Sequence, residues 1–318
     1  MMLRYVLRRL LAMIPLMFVV TSIAFVLGEY GAGDLAAYLV TIRGGGRMDM
    51  SDYYEIREML KLDDPVMVRY FRWVWNALHG DLGRAWVTIG QPKVEVLLAQ
   101  ALPVSLQLGL ASLCVVVMVG VPLGVLAAAF RNTFVDYAIV GGATVISSIP
   151  GFVLAPIAMV VLVAQLKILP SVGLGWHGIF SEKAILPVLV LGMLPIRGVV
   201  RYTRASVLEV LSQDYVRAAR ARGLAEWLVI VRHVLKNAML PIITILGMTA
   251  GWLISGSIFI ERIFNIRGFG HMAADAIQGG DVQASTGVLV VSALIIMTSN
   301  LLVDLSYGLL DPRVQLGK

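Results

Sequence analysis

Charge is scarce in this chain. Only 14% of its 318 residues are Asp, Glu, Lys or Arg, where an average soluble domain carries about 25%. That leaves too little polar surface for a fold surrounded by water, which excludes a soluble enzyme and a disordered tail. Cysteine is nearly absent as well. The lone Cys114 sits in an apolar run and can form no bridge within the chain, so a disulfide-stapled secreted module is excluded. The four histidines, His79, His177, His233 and His271, are scattered with no metal-ligand spacing. No GxxxxGK[ST] phosphate loop and no GxSxG elbow occurs, so neither ATP cleavage by that route nor serine acyl chemistry has its residues here. Carboxylates inside the apolar runs are almost missing, Asp304 near the end of the last run being the exception. A proton- or sodium-coupled carrier needs such groups near mid-membrane.

What the chain has instead is length of apolar sequence: 58% of it is hydrophobic and its mean hydropathy is +0.84. A helix needs about 20 apolar residues to cross the hydrocarbon. Residues 10–28, 101–130, 137–166, 237–260 and 282–303 are free of charge. A sixth run begins at Ala184 and stays uncharged to Ile196, where Arg197, Arg201 and Arg204 follow along one helical face. Arginines near a membrane end reach the headgroups with their long stems, so this span extends to about Thr203. The expected fold is an all-α polytopic membrane protein of six transmembrane helices, with a small extracytoplasmic segment between the first and second. Its parts are an N-terminus and first span (1–28), the extracytoplasmic segment (29–100) and a five-helix core (101–318) whose cytoplasmic loop covers about 205–240.

Lysine and arginine collect on the cytoplasmic side of membrane proteins. Arg4, Arg8 and Arg9 precede the first span with no acid, which predicts a cytoplasmic start. Alternation then places 29–100 outside, with 8 basic and 10 acidic residues, and 197–236 inside, with 8 basic and 3 acidic. The tail with Arg313 and Lys318 falls inside too. A signal peptide is the rival for the first run, but its uncharged stretch is longer than the usual 7–15-residue signal core. In the 29–100 segment, Gly44-Gly45-Gly46 marks a flexible break and Ser51 is placed to cap a helix through Tyr54, Ile56, Met59 and Leu60. Asp63-Asp64-Pro65 ends it, and a second helical pattern runs through Val68, Phe71, Trp73, Val74, Trp75 and Leu78. This segment reads as a lid or docking surface, with a long tether as the alternative. Gly120-xxx-Gly124 and Gly247-xxx-Gly251, extended to Ser255, predict close helix contacts. Pro122, Pro150, Pro156, Pro187, Pro195 and Pro241 interrupt the hydrogen bonding of several spans.

The most informative stretch is SQDYVRAARARGLAEWLVIVRHVLKNAMLP, residues 212–241. Ser212 reads as an N-cap with Asp214 in the first turn, at the positive end of the helix dipole. A short helix through Tyr215, Val216, Ala218, Ala219 and Ala221 stops at Gly223, a residue suited to the left-handed conformation after a helix. A second helix from about Ala225 puts Trp227, Leu228, Val231 and Leu235 on one face and Arg232, His233 and Lys236 on another. This is either a basic helix at the lipid headgroups or a docking element for a cytoplasmic partner. The small residues of AARARG, which lower steric bulk where another protein must fit, favour docking.

Six segments in order carry a family resemblance: LRYVLRRLL, DDPVMVRYFRWVWNALHGDLGRA, LPVSLQLGLAS, DYVRAARARGL with RHVLKNAMLP, IERIFNIRGFG, and NLLVDLSYGLLDPRV. Over nearly its whole length the chain resembles the inner-membrane permease subunits of bacterial ATP-binding-cassette importers, in the dipeptide, oligopeptide and nickel branch. The resemblance implies an EAA-type loop whose coupling helix enters a cleft of a cytoplasmic ATPase. Ala218, Ala219 and Gly223 match that motif's two alanines and glycine; Arg217 stands where the general motif has glutamate, and Leu240-Pro241 arrives later than the motif's Leu-Pro. The implied coupling set is Asp214, Tyr215, Arg217, Ala218, Ala219, Arg220, Arg222, Gly223, Leu224 and Glu226. Implied partners are a second homologous permease, one or two ATPases that hold ATP and magnesium, an extracytoplasmic solute-binding protein facing 29–100 and 261–270, a peptide-type substrate, and membrane lipid. No cofactor in this chain, no nucleic acid and no catalytic residue is expected. Importers of nickel chelates, glutathione or oligosaccharides share the architecture. Two other classes stay in view: an autonomous channel or secondary carrier, which moves solute without ATP, and a membrane scaffold or receptor, which moves none.

Overall fold

The computed structural model of the protein describes residues 2–31, 33–43, 49–88, 90–170, 176–255 and 258–310. The Gly44-Gly45-Gly46 break and the tail residues Arg313 and Lys318 lie outside them. Among the described residues every regular element is a helix. In chain order they are α1 (Met2–Gly31), α2 (Leu35–Arg43), α3 (Met50–Met59), α4 (Val66–Leu78), α5 (Val94–Val115), α6 (Val121–Ala129), α7 (Phe134–Ser148), α8 (Gly151–Ala158), α9 (Ile185–Met193), α10 (Ile196–Leu211), α11 (Asp214–Ala221), α12 (Glu226–Leu228), α13 (Leu235–Ile254), α14 (Ile258–Ile263), α15 (Phe269–Gln278) and α16 (Val282–Leu310). A π-helical turn, Val116–Gly120, joins α5 to α6 without a break. Pro122 explains its place: it has no N–H for Met118 and its ring crowds that carbonyl, which a widened turn relieves.

Four helical stretches are long and apolar enough to cross a bilayer uninterrupted: Leu7–Gly31, Val94–Ala129, Glu226–Ile254 and Val282–Leu305. Two further apolar helix pairs are bent, α7 with α8 by 100° and α9 with α10 by 55°, and six spans result if each pair counts as one. The straight span read over 137–166 is therefore corrected to a sharply broken one. Ile149, forced out of the helical region by the following Pro150, has φ −82 and ψ 120 and turns the chain. Pro195 marks the second bend.

The centre of the bundle is α13, which packs on α5, α10 and α16, while α10 also packs on α6 and α7. Small residues make these approaches possible. A Cβ on Gly124 would stand 2.5 Å from Thr203 Cβ, so α6 and α10 meet there only because that position lacks one. Gly247 faces α16, where Ser299 Oγ donates to the Gly247 carbonyl at 3.0 Å. Ser255 does not extend that contact; its hydroxyl turns back to Trp252 O. Arg204 does not reach for headgroups either. It grips Asp136 at the start of α7 through Nε (2.7 Å) and Nη2 (2.6 Å), and the Asp136 side chain is only 3% exposed. Asp304, the lone acid of the last apolar run, pairs with Arg9 of α1 at 3.0 Å.

The α2–α4 segment packs Leu35, Ala36, Leu39, Val40 and Ile56 into its own small core. The α3 cap is Asp49 rather than Ser51: Asp49 Oδ1 accepts from both the backbone N–H and the hydroxyl of Ser51. Helix α2 starts on Asp34, whose Oδ1 accepts from Ala36 N and Ala37 N. One long-range bond, Tyr38 Oη to Gly279 O, ties this segment to the turn before α16, and the loop after α4 adds another, Val87 N to Asp281 Oδ2.

Candidate docking surface

The residues singled out between Asp214 and Glu226 form one compact projection at the end of the bundle where α6, α10 and α13 terminate. Helix α11 is seated by two side chains. Val216 and Ala219, spaced three apart, are buried in one apolar cluster with Ala128 of α6, Val207 of α10, Val229 and Val234 of the next turn, and Ala238 and Ile242 of α13. The other residues of α11 face outward: Asp214, Tyr215, Arg217, Ala218 and Arg220 are exposed, as are Arg222, Gly223, Leu224 and Glu226 beyond it. So of the two alanines that match the EAA motif, Ala219 belongs to the core and Ala218 to the surface.

Two corrections concern how this projection is built. Ser212 does not cap α11. Helix α10 runs on to Leu211 and uses Ser212 as its last position, with the hydroxyl donating to Glu209 O at 2.7 Å; Gln213, in extended conformation, precedes α11 instead. The following helix buries neither of the two faces named from the sequence. A π-helical stretch, Val229–Val234, inserts one residue into the turn, so the buried positions are Val229, Val234 and Ala238. Trp227 and Val231 lie outside, 67% and 58% exposed.

Gly223 has φ +78, the left-handed conformation its position after the helix requires, and the space around it is open. Across this turn Arg220 clamps Glu226 with two bonds, Nε to Oε2 at 3.0 Å and Nη2 to Oε1 at 2.5 Å. The charged Glu226 partner raises the Arg220 pKa further above its already high ordinary value. Tyr215 is held from the side: Asn237 Nδ2 donates to Tyr215 Oη at 2.8 Å and to His233 O at 3.0 Å. Asn237 was absent from the sequence-based site, and its only trace in the sequence is a polar residue at the mouth of an apolar run. Arg217 reaches Asp214 at 3.4 Å, but both side chains are largely in solvent and the pair adds little.

A second polar cluster joins the middle of α5 to α14 and the start of α15, where the sequence reading placed only a loop. Glu261 of α14 is fully buried. Its carboxyl accepts from Ser105 Oγ at 2.7 Å and from His271 N at 2.9 Å, while Ser105 Oγ accepts from Phe269 N at 2.7 Å. Burial pushes the Glu261 carboxyl above its ordinary value, and these hydrogen bonds offset only part of that. Among the described residues no group of His, Cys, Asp or Glu is placed to hold a metal ion.

Residues 120–316, which contain the whole α11 projection, match the family described as binding-protein-dependent transport system inner membrane component. The chain belongs to that family. Residues 2–99 match the companion N-terminal family of such membrane components. The oligopeptide transport system permease protein AppB of Bacillus subtilis (strain 168) is 34% identical over 317 residues, covering 98% of this chain and 99% of the relative. The dipeptide transport system permease protein DppB of the same organism is 34% identical over 315 residues, covering 99% of each. In solved structures, the chain is similar to an inward-facing MetNI methionine ABC transporter, with a TM-score of 0.57 over 68% of this chain and 96% of that one at 17% identity. That likeness shows the fold. Family and apolar helices together make this chain a multi-pass inner-membrane transport component.

Proposed function

We propose that this chain is a permease subunit of an ATP-driven importer of peptides, and that α11 is the helix through which cytoplasmic ATPases move it. The reading of cargo rests on relatives named for oligopeptide and dipeptide transport that align over the full chain. The reading of coupling rests on one observation above all: Val216 and Ala219 root α11 in the core shared by α6, α10 and α13. A helix so rooted cannot be displaced without moving the ends of three membrane helices, because a close-packed core transmits displacement. Its outward face of Asp214, Tyr215, Arg217, Ala218, Arg220 and Arg222, with Gly223, Leu224 and Glu226 beyond, is what an ATPase cleft would receive.

The charge pattern supports the sidedness. Residues 197–236 carry 8 basic and 3 acidic residues, which favours a cytoplasmic α11 end and, with six spans, cytoplasmic termini. The α2–α4 segment and the Glu261 loop then face the extracytoplasmic side, toward a solute-binding protein. The translocation path is shared with a second, homologous permease, and ATP and magnesium are held by one or two separate ATPase chains. Extraction from the native membrane in mild detergent tests this assembly: a second permease and ATP-binding-cassette ATPases should copurify with this chain. Recovery of this chain alone, from a preparation that keeps other membrane complexes whole, contradicts it in favour of an autonomous carrier.

A further inference from the structure

Helix α4 is the element that coupling and transport leave unused, and it presents three different faces. Tyr70 and Trp73 lie against α1. The Thr21 and Ser22 hydroxyls are 3.1 and 3.0 Å from Tyr70 Oη, the Tyr70 ring stands edge-on to Phe18 and Phe25, and Trp73 packs on Phe25. A polar strip follows on the next face: Arg69 pairs with Glu29 at 2.6 Å, Arg72 with Asp64 at 2.5 Å, and Asn76 lies beside them along an open cavity. The third face is apolar and bare. Met67, Phe71, Trp75 and Leu78, at spacings of four, four and three, are 69%, 62%, 64% and 78% exposed.

The position of α4 along α1 decides what covers that face. Thr21 and Ser22 belong to the apolar span Leu7–Gly31. Thr21 lies ten residues from Gly31, ~15 Å along the axis at 1.5 Å per residue. The helix is therefore docked beside a membrane-crossing segment, below its end, and not above it. On the side of α1 that meets Tyr70, Ile14 and Phe18 are apolar and more than half exposed as well.

We propose that α4 is an in-plane membrane helix, with Met67, Phe71, Trp75 and Leu78 sunk into the acyl chains of the leaflet at the α2–α4 end, Arg72 and Asn76 turned to headgroups and water, and Arg69 held against Glu29 of α1. Its occupant is lipid. An interfacial helix has this division: a broad apolar face carrying tryptophan and aromatic side chains, and a charged strip about a third of a turn away. The consequence is that the α2–α4 segment is fixed to the bilayer surface and does not swing as a free lid.

Spin labels in the assembled transporter, reconstituted in lipid nanodiscs, test this. In a Cys114→Ala background, labels at Phe71→Cys and Leu78→Cys should relax several-fold more with oxygen, which partitions into lipid, than with a water-soluble nickel chelate. A label at Asn76→Cys should show the reverse. Preference for the nickel chelate at 71 and 78 overturns the proposal, placing the face in water. Inaccessibility to both reagents overturns it too, placing the face against protein. If the cysteine variants do not assemble, brominated lipid gives a second reading. The quenched part of the tryptophan emission should fall in Trp75→Phe, and an unchanged quenched part overturns the proposal.

Discussion

Arg220 and Glu226 are both about half exposed, 42% and 56%, and an ion pair in water is worth about 0–1 kcal/mol. Their value to the molecule is geometric: two parallel hydrogen bonds fix the angle at which α11 leaves the Gly223 turn. Arg220→Glu should accordingly lower ATP-driven uptake several-fold while leaving the melting temperature within a few degrees. The exchange Arg220→Glu with Glu226→Arg should restore uptake, and a single variant with full uptake would remove the clamp from the account. Glu261 is the opposite case, a buried group on which local stability depends. Glu261→Ala orphans the Ser105 hydroxyl and the His271 N–H, each at about 1–3 kcal/mol. Its raised pKa also carries a sign. The folded chain keeps the proton to higher pH than the unfolded chain does, so stability is greatest in acid and declines as pH rises from the ordinary value of 4.5 through the raised one. Melting curves against pH should show that decline in the native chain and a flatter profile in Glu261→Gln.

At the scale of elements, local signals and the packed structure agree where the signal is itself local. The start of α11 at an acidic first turn and its stop at Gly223 were legible, because a helix end is written in the residues beside it. The cap was misread because α10 overruns it, and nothing near Ser212 shows how far the arginine-bearing helix continues. The burial of 226–238 follows neither face named from the sequence, for a physical reason. A 3.6-residue period selects Trp227, Leu228, Val231 and Leu235, whereas the π turn shifts burial to Val229 and Val234, five apart. The Gly223 stop yields a clean prediction because its surroundings are open, so a substitution there acts through backbone conformation alone. A β-branched residue at this φ costs about 1–2 kcal/mol, and α11 would relieve it by re-angling. Gly223→Val should uncouple ATP hydrolysis from uptake and Gly223→Asn, which tolerates the left-handed region, should retain coupling. Uptake assays in proteoliposomes separate the two; normal coupling in Gly223→Val would contradict α11's role.

At the scale of the whole molecule, the number and rough placement of apolar runs were readable because bilayer thickness sets their length. The right-angle break at Pro150 was visible only as a proline, and the contacts that join distant parts were not visible at all. Ser105 and Glu261 are 156 residues apart, Asp136 and Arg204 are 68 apart, and neither pair carries a local pattern. The same holds for Tyr215 and Asn237, which anchor the outward face of α11 to α13. The proposed coupling role requires the α11 end of the bundle to dock on the ATPase. Cysteine cross-linking at Ala218, the small exposed residue at the centre of that face, tests this most directly. In the assembled transporter, with Cys114→Ala, Ala218→Cys should cross-link to the ATPase subunit, in a yield that changes when ATP is added. A label at Ala218→Cys that stays fully reactive to water-soluble reagents and forms no such cross-link would contradict the account.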